Sequence, residues 1–344
     1  IGSVQKESPT SPGGQGFDYW ISGLNFYDRD PYLSHNGIYK QYKGQGSVIA
    51  MNQAIEHLKK YSSQQPTFTV VWFPSPHDPH RETSSNPELY KGKKHAGYFQ
   101  EITLLDEQIG KLRKTVRDLK IHQDTLLWYT SDNGGLVPES SGGRAKKGSV
   151  YQGGLRVPSL LEWPARFEPK TISVPSHSSD IYPTLLSITG TKVYKQPKLD
   201  GVDLVPFLDG KETTRKKPMG FWHHFAGGNS TWNDRIIKQL MEAQQAGKET
   251  PLPARVLKNV NDFPAYSDGT HKKGHAALLD WPHKIHAIYK NNKITWELYN
   301  LDKDPMESRD LSPTFAPEKL ESLKEKITTW QKSVLHSHEG EDYR

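Results

Sequence analysis

A short apolar run followed by a glycine-rich turn constrains the fold of this chain more than any other stretch. Leu126–Tyr129 has the length and the aromatic content that are typical of a buried strand. Asp132 and Asn133 follow this run, and Gly134 and Gly135 come next. Because glycines let the backbone turn sharply and stay close to a ligand, a carboxylate and an amide oxygen are predicted to emerge together at a strand's end. In parallel α/β sheets, ligands bind at that edge.

Asp132 and Asn133 are candidate metal ligands, because Ca²⁺ and Mg²⁺ prefer carboxylate and carbonyl oxygens. About a dozen residues later, Lys147 stands on a second glycine-rich stretch, from which its ammonium could return toward an anion held by the cation. The plain alternative is an ordinary turn, since Asp, Asn and Gly satisfy their own backbone groups in turns. The neighbouring motifs favour the metal site.

A second candidate segment follows the run Thr67–Phe73, which is apolar, rich in β-formers and predicts a central parallel strand. His77 comes soon after this run, so we expect it at the same edge of the sheet as Asp132. An imidazole there could donate a hydrogen bond to an ester oxygen or protonate a leaving alkoxide. The alternative is an ordinary surface histidine. His80, three residues on, is expected to line a substrate cleft.

These motifs occur in the order and with the spacing of a known family. Ser131–Gly134 and then Lys147–Pro158 closely resemble the second half of the sulfatase family, within the alkaline-phosphatase-like superfamily. Ser75–His80 resembles the family's histidine segment, and Leu301–Glu307 is similar to its C-terminal signature, in which a strand enters an Asp-Pro turn. The resemblance covers roughly residues 16–210 well and the rest more loosely. It implies hydrolysis of sulfate esters with a divalent cation.

The rest of the sequence predicts alternating strands and helices, which favours a three-layer α/β domain. The resemblance adds that its sheet is the mixed sheet of the alkaline-phosphatase-like fold. We expect the catalytic α/β domain over residues 1–210 and a smaller α+β subdomain, an antiparallel sheet plus a helix, over residues 211–344. Apolar spacing predicts helices over Gly46–Tyr61, His95–Lys120, Trp232–Ala246 and Pro317–Leu335, one more beginning near a structural Asp180, a strand over Ser159–Trp163, and a hairpin of His283–Tyr289 with Thr295–Leu301.

The resemblance implies a role for the residues of the two candidate segments. Asp132 and Asn133 match two ligands of the cation, expected to be Ca²⁺, with Mg²⁺ as the alternative. Lys147 matches a sulfate-binding residue, and His77 matches an acid that assists the leaving group.

Two further histidines are expected to contact the substrate, His80 and His223. His223 and His224 are adjacent, and neighbouring side chains on a strand point to opposite faces. A second metal site at this pair is therefore not expected.

The sequence contains no cysteine, which excludes disulfides and thiolate metal sites. It also lacks the family's nucleophile, a formylglycine made from Cys, or less often Ser, in a motif near the N-terminus. Two further metal-ligating aspartates and the Lys and His of a Gly-Lys-Trp-His motif also precede the part of the family that this chain resembles. We expect these groups on a missing N-terminal segment, which is thus a predicted partner of the chain.

Two other functions fit the same residues. A phosphoesterase or phosphodiesterase of the same superfamily is the alternative enzyme. A truncated, inactive homologue that binds anionic glycans without turnover is the alternative outside enzymology.

The formal charge is +6, with 45 Lys and Arg against 39 Asp and Glu, which favours anionic partners. No helix-turn-helix or RNA-binding motif is recognisable, so we expect a sulfated small molecule or carbohydrate rather than nucleic acid. No apolar run approaches the roughly 20 residues that a membrane helix needs, so no membrane partner is expected. A periplasmic or secreted location is expected rather than a cytoplasmic one.

Overall fold

The computed structural model describes residues 2–24, 29–223, 232–249 and 274–343. The chain forms two compact units. The first unit comprises Ile1–Thr125 with Gly228–Pro264, and the second comprises Leu126–Gly227 with Ala265–Arg344.

The described elements are helices, strands and short 3-10 turns. The helices are α1 (Gly46–Tyr61), α2 (Ala96–Asp118), α3 (Gln152–Leu155), α4 (Ile181–Thr189), α5 (Val205–Leu208), α6 (Asn233–Gln245) and α7 (Pro317–His338). The strands are β1 (Ile21–Ser22), β2 (Tyr32–His35), β3 (Ile38–Gln41), β4 (Leu127–Thr130), β5 (Ser159–Glu162), β6 (Met219–His223), β7 (Gly274–Asp280), β8 (His283–Lys290) and β9 (Lys293–Asn300). Within the described ranges, no helix combines the length and the hydropathy needed to cross a membrane.

In the first unit, α1 and α2 pack on each other as their apolar spacing predicts. α1 has the predicted bounds, and α2 begins and ends within two residues of its prediction. Lys59 and Lys60 lie in the last turn of α1, where cations are favourable near the carbonyl end of the helix dipole. The side chains that α1 and α2 bury include Ile49, Met51, Ile55, Tyr98, Leu104 and Leu105.

Helix α6 packs against the antiparallel strands β2 and β3 of the first unit. Its polar residues pair with the strands' main chain: Asn233 Nδ2 donates to Tyr32 O at 3.0 Å, and Gln244 Oε1 accepts from Tyr39 N at 3.0 Å. Ile236, Ile237 and Leu240 form the apolar side of this contact together with Val4. The helix predicted over Trp232–Ala246 is confirmed within one residue at each end.

The predicted strand over Thr67–Phe73 is wrong. The structure has no strand there, and Phe68 and Trp72 are 64% and 84% exposed. A strand requires a neighbouring strand to satisfy its N–H and C=O groups, and none of the described residues pairs with this run. β-propensity without a partner strand is insufficient to form the element.

In the second unit, β4 pairs antiparallel with β5, and Tyr129 lies opposite Leu160. Both strands lie within one residue of their predicted bounds. Trp128 and Leu161 pack against a buried cluster of Leu204, Phe207 and Leu208, whereas Leu160 is 64% exposed. One face of this pair is therefore covered within the described chain.

Strands β6 to β9 form a four-stranded antiparallel sheet in sequence order, and α7 packs on one of its faces. The predicted hairpin is confirmed: Asn291 and Asn292 connect β8 to β9 with φ values of 51° and 60°, as expected for a tight turn with both central residues left-handed. Leu323 and Ile327 of α7 are buried on this sheet. This is the antiparallel sheet with one helix that was predicted for the C-terminal subdomain.

A buried ion pair supports the beginning of α4. The Asp180 carboxylate accepts from His177 N at 2.7 Å and Val202 N at 2.8 Å, and Arg215 binds it through both terminal nitrogens, at 2.7 and 3.0 Å. Both side chains are almost completely buried. Asp180 is therefore structural, as predicted.

We predict that Arg215→Met lowers the free energy of unfolding by about 3–5 kcal/mol, because it leaves a buried carboxylate without its partner. Urea denaturation followed by circular dichroism measures this change. Arg166→Met is the matched control, since Arg166 pairs with Asp209 at the surface, and it should cost less than about 1 kcal/mol. Equal losses in the two variants would contradict the prediction.

Candidate functional site

The loop that follows β4 and the second glycine-rich stretch are joined through their main chains. Gly134 N donates to Gly154 O at 2.8 Å, and Lys147 N donates to Gly135 O at 3.1 Å. Lys147 thus lies beside the segment that carries Asp132, as the sequence predicts for this part of the site. Both loops belong to the second unit.

Glycine is required where these loops meet. A Cβ on Gly134 would lie 2.1 Å from Gly153 O, and one on Gly153 would lie 2.1 Å from Ala145 O. Distances this short are steric clashes with main-chain atoms, so no other residue fits without moving a loop. The glycine-rich spelling of both motifs follows from this close packing.

The Asp132 carboxylate is exposed, and no described residue donates a hydrogen bond to it. Ser131 Oγ donates to Asn133 O at 3.0 Å, and Asn133 Nδ2 donates to Gly134 O at 3.2 Å. The second bond uses the amide's nitrogen, which leaves Asn133 Oδ1 as an acceptor. The turn therefore presents two oxygen donors.

These oxygen donors fit a hard cation such as Ca²⁺ or Mg²⁺ in kind, but a Ca²⁺ ion takes about six to eight oxygen ligands. Among the described residues, no group of three or more His, Asp or Glu side chains is clustered as a metal site. Asp132 and Asn133 would supply part of a coordination shell.

Lys147 is half-buried, and within the described ranges no carboxylate pairs with its ammonium. Its neighbour Lys146 is exposed. The Lys147 ammonium is thus available to an anionic ligand.

His77 and His80 lie on a loop of the first unit. His77 Nδ1 lies 2.9 Å from Asp78 O, and His80 Nε2 lies 3.1 Å from Pro76 O. The His80 ring also packs edge-on against Tyr98 of α2, with centroids 5.5 Å apart. Because this loop and Lys147 belong to different units, the convergence of the histidines with the metal loop stays a prediction.

Glu82, which the sequence analysis did not select, holds the histidine loop on α1. Its buried carboxylate accepts from Ser75 Oγ at 2.8 Å and from Ser47 N at 3.3 and 3.4 Å. Ser47 is the second residue of α1, where an anion is favourable at the helix N-terminus. The loop is therefore fixed on both sides of His77, through Ser75 and Glu82.

The remaining predicted substrate contact, His223, ends strand β6, and its backbone pairs with that of His275. Its side chain lies outside the part of the chain that the structure describes, as does all of His224. The substrate-binding role of His223 stays a prediction.

The sequence analysis also missed a buried polar cluster in the second unit. Glu307 Oε1 lies 2.9 Å from Lys284 Nζ and 3.0 Å from His286 Nε2, and His286 Nδ1 lies 2.8 Å from His275 Nε2. Burial by itself would raise the pKa of Glu307, but the hydrogen bonds from His286 and Lys284 outweigh it and hold that pKa below its usual value. Burial lowers the pKa of His286, and burial together with the nearby His286 and Lys284 lowers the pKa of His275 to about 3.

A profile of the Sulfatase family matches residues 3–191. The chain belongs to the sulfatase family. The family predicted from the Asp132 and Lys147 motifs is thereby confirmed.

Among known sulfatases, the human steryl-sulfatase is 30% identical over 144 residues, which cover 38% of this chain and 25% of the relative. The ulvan-active sulfatase of Formosa agariphila is 26% identical over 278 residues, covering 72% of this chain and 53% of the relative. This sulfatase chain thus spans about half or less of the length of these relatives.

Solved structures share the fold at low identity. The crystal structure of Ps i-CgsB superposes with a TM-score of 0.72 at 20% identity, covering 94% of this chain and 68% of that one. BT4656 in complex with D-glucosamine-2-N,6-O-disulfate superposes with a TM-score of 0.63 at 17% identity, covering 92% and 76%. These similarities confirm the predicted α/β, alkaline-phosphatase-like fold of the sulfatase chain.

We predict that the free energy of unfolding falls as the pH drops from about 6.5 toward 3, because the unfolded chain then binds protons that buried His275 and His286 do not. A folded-state pKa below the unfolded value has this sign. In His275→Gln the fall should be shallower, as measured by urea denaturation across that pH range.

The matched control for the pH prediction is His336→Gln, which replaces an exposed histidine of α7 and should keep the parent's pH dependence. A His275→Gln curve parallel to the parent's would contradict the prediction.

Proposed function

We propose that this chain is the C-terminal portion of a sulfatase that hydrolyses sulfate esters of a carbohydrate. The main-chain contact between the Asp132 loop and the Lys147 loop carries the proposal, because it sets two oxygen donors beside an unpaired ammonium. A sulfate monoester needs such groups, since it carries a negative charge that repels nucleophiles and its alkoxide is a poor leaving group.

In the proposed reaction, Lys147 binds a sulfate oxygen and stabilises the charge that develops there. His77 donates a proton to the leaving alkoxide, and His80 and His223 contact the sugar. Asp132 and Asn133 are two of the ligands that would hold a divalent cation, Ca²⁺ or Mg²⁺. When bound, such a cation polarises the sulfate as a Lewis acid.

The proposed nucleophile is a formylglycine on a polypeptide segment outside this sequence, since the chain contains no cysteine. Exposed apolar surface supports such a segment. The β-forming run Thr67–Phe73 exposes Phe68 and Trp72, and Leu160 of β5 is exposed in the other unit. Runs of this composition are normally buried in a sheet, so further strands of the same protein are proposed to cover them.

The proposed catalytic α/β domain ends near residue 210, and residues 211–344 form the smaller subdomain. The described sheet of β6 to β9 with α7 lies within this second range. The boundary thus agrees with a separate C-terminal sheet.

The proposed substrate is a sulfated glycan. Relatives support this class: one is described as ulvan-active, and two of the similar structures contain a neocarrahexaose or a glucosamine disulfate. The net charge of +6 favours an anionic polymer. A periplasmic or secreted location is proposed, because polysaccharides of this kind are met outside the cytoplasm.

We predict that the whole natural protein, supplied with Ca²⁺, releases sulfate from aryl sulfates faster than it releases phosphate from the matching aryl phosphates. Ion chromatography of both products measures the two rates. Phosphate release far above sulfate release would establish the phosphoesterase alternative, and binding of sulfated glycans without release of either ion would establish the inactive homologue. The 344-residue chain alone should release neither ion, because it lacks the nucleophile.

We predict that Lys147→Ala in the whole protein lowers kcat for sulfate release by about 10²–10³-fold, the usual cost of removing one group that stabilises developing charge. Lys146→Ala is the matched control, since Lys146 is adjacent and exposed, and it should retain most of the activity. Steady-state kinetics of both folded variants provides the comparison. An unchanged kcat in Lys147→Ala would remove this residue from the site.

A further inference from the structure

Glu307 lies where the chain leaves β9 and turns toward α7, and it is only 1% exposed. Its left-handed backbone, with φ of 53°, is uncommon for a residue with a side chain. The carboxylate receives the Lys284 ammonium at 2.9 Å and the His286 imidazole at 3.0 Å. An ion pair and a histidine are thus enclosed together inside the second unit.

This buried ion pair holds the main chain of the glycine-rich loop at two nearby points. Glu307 Oε2 accepts from Gln152 N at 2.5 Å, and Lys284 Nζ donates to Val150 O at 2.7 Å. One partner therefore satisfies a main-chain donor and the other a main-chain acceptor. Both points lie a few residues after Lys147.

A second set of contacts holds the loop around Tyr151. The Arg144 guanidinium lies 3.9 Å from the centroid of the Tyr151 ring and donates to the Tyr299 hydroxyl at 2.7 Å. The hydroxyls of Tyr151 and Tyr299 donate to Glu297 Oε2 at 2.6 and 2.8 Å. Arg144 precedes Lys147 and Tyr151 follows it, so strand β9 fixes the loop on both sides of the lysine.

Stability alone does not account for the choice of residues. Burying Lys284 and Glu307 removes both charges from water, and well-packed apolar side chains of similar volume usually stabilise a core at least as well. An apolar pair could not satisfy Val150 O and Gln152 N. The ion pair therefore serves to hold the loop's polar main chain in one place.

The loop around Lys147 needs such an anchor. Gly148 has a φ of 86°, and Gly153 and Gly154 pack by main chain alone. Glycines lose more conformational freedom on folding than other residues, so a loop rich in them keeps one conformation only when other parts of the protein hold it.

We propose that Glu307 is a positioning residue: with Lys284, it fixes the glycine-rich loop so that the Lys147 ammonium meets the sulfate group. This inference rests on the proposed function. A displacement of about 1 Å at a catalytic group can cost roughly 10²-fold in rate. Removing the anchor should therefore impair catalysis well before it unfolds the protein.

The test is a double-mutant cycle in the whole natural protein with Glu307→Gln, Lys147→Ala and the double variant, assayed for aryl sulfate hydrolysis. Glu307→Gln keeps the size and an acceptor but removes the charge. We expect kcat to fall about 10²-fold with KM changed little. In the Lys147→Ala background the same change should cost less than about 3-fold, because residues that act through one group are not additive.

Arg215→Met is the matched control, since it also breaks a buried ion pair of the second unit, the one with Asp180. Its folded fraction should keep the parent's kcat, and its effect should be the same in both backgrounds. A purely structural role for Glu307 would give that same additive result and would overturn the inference.

A milder variant keeps the test decisive if Glu307→Gln does not fold. Tyr151→Phe removes only the hydroxyl that binds Glu297. It should lower kcat severalfold in the parent and hardly at all in Lys147→Ala; equal losses would overturn the inference. A parent protein without sulfate release would instead refute the proposed function, so the two failures are distinct.

Discussion

Two glycine-rich segments in the second unit lie closer together than any side chain would permit, and the proposed chemistry depends on this contact. A Cβ on Gly134 would lie 2.1 Å from Gly153 O, so the loops meet through main chain alone. Asp132 and Asn133 project from one segment and Lys147 from the other. The β4–β5 pair carries the first loop, and the buried ion pair of Lys284 with Glu307 holds the second.

Local pattern was sufficient for most of the helices and strands. The apolar spacing in α1 and α2 and the short runs in β4 and β5 gave bounds within two residues, because these elements depend on nearby side chains. The same kind of pattern failed over Thr67–Phe73. Its composition is that of a strand, but a strand also depends on hydrogen bonds to another part of the chain, and no described residue provides them.

The proximity of Lys147 to the Asp132 loop could be predicted, because motif and spacing encode it. The anchors beneath the candidate loops could not. Glu82 and Glu307 are charged residues in loops, and sequence patterns place such residues in water. Their burial depends on partners distant in sequence, Ser47 for Glu82 and Lys284 for Glu307. The position of His77 relative to Lys147 stays a prediction, since these residues belong to different units.

The exposed run that contains Phe68 and Trp72 has a consequence for the colloidal behaviour of this chain. An uncovered, β-prone apolar segment is a template onto which another molecule can add its own strand, and short segments of this kind promote aggregation. Copies of the 344-residue chain on their own are therefore prone to self-association and precipitation. The polypeptide that covers this run in the whole protein would act as its solubilising partner during folding as well as afterwards.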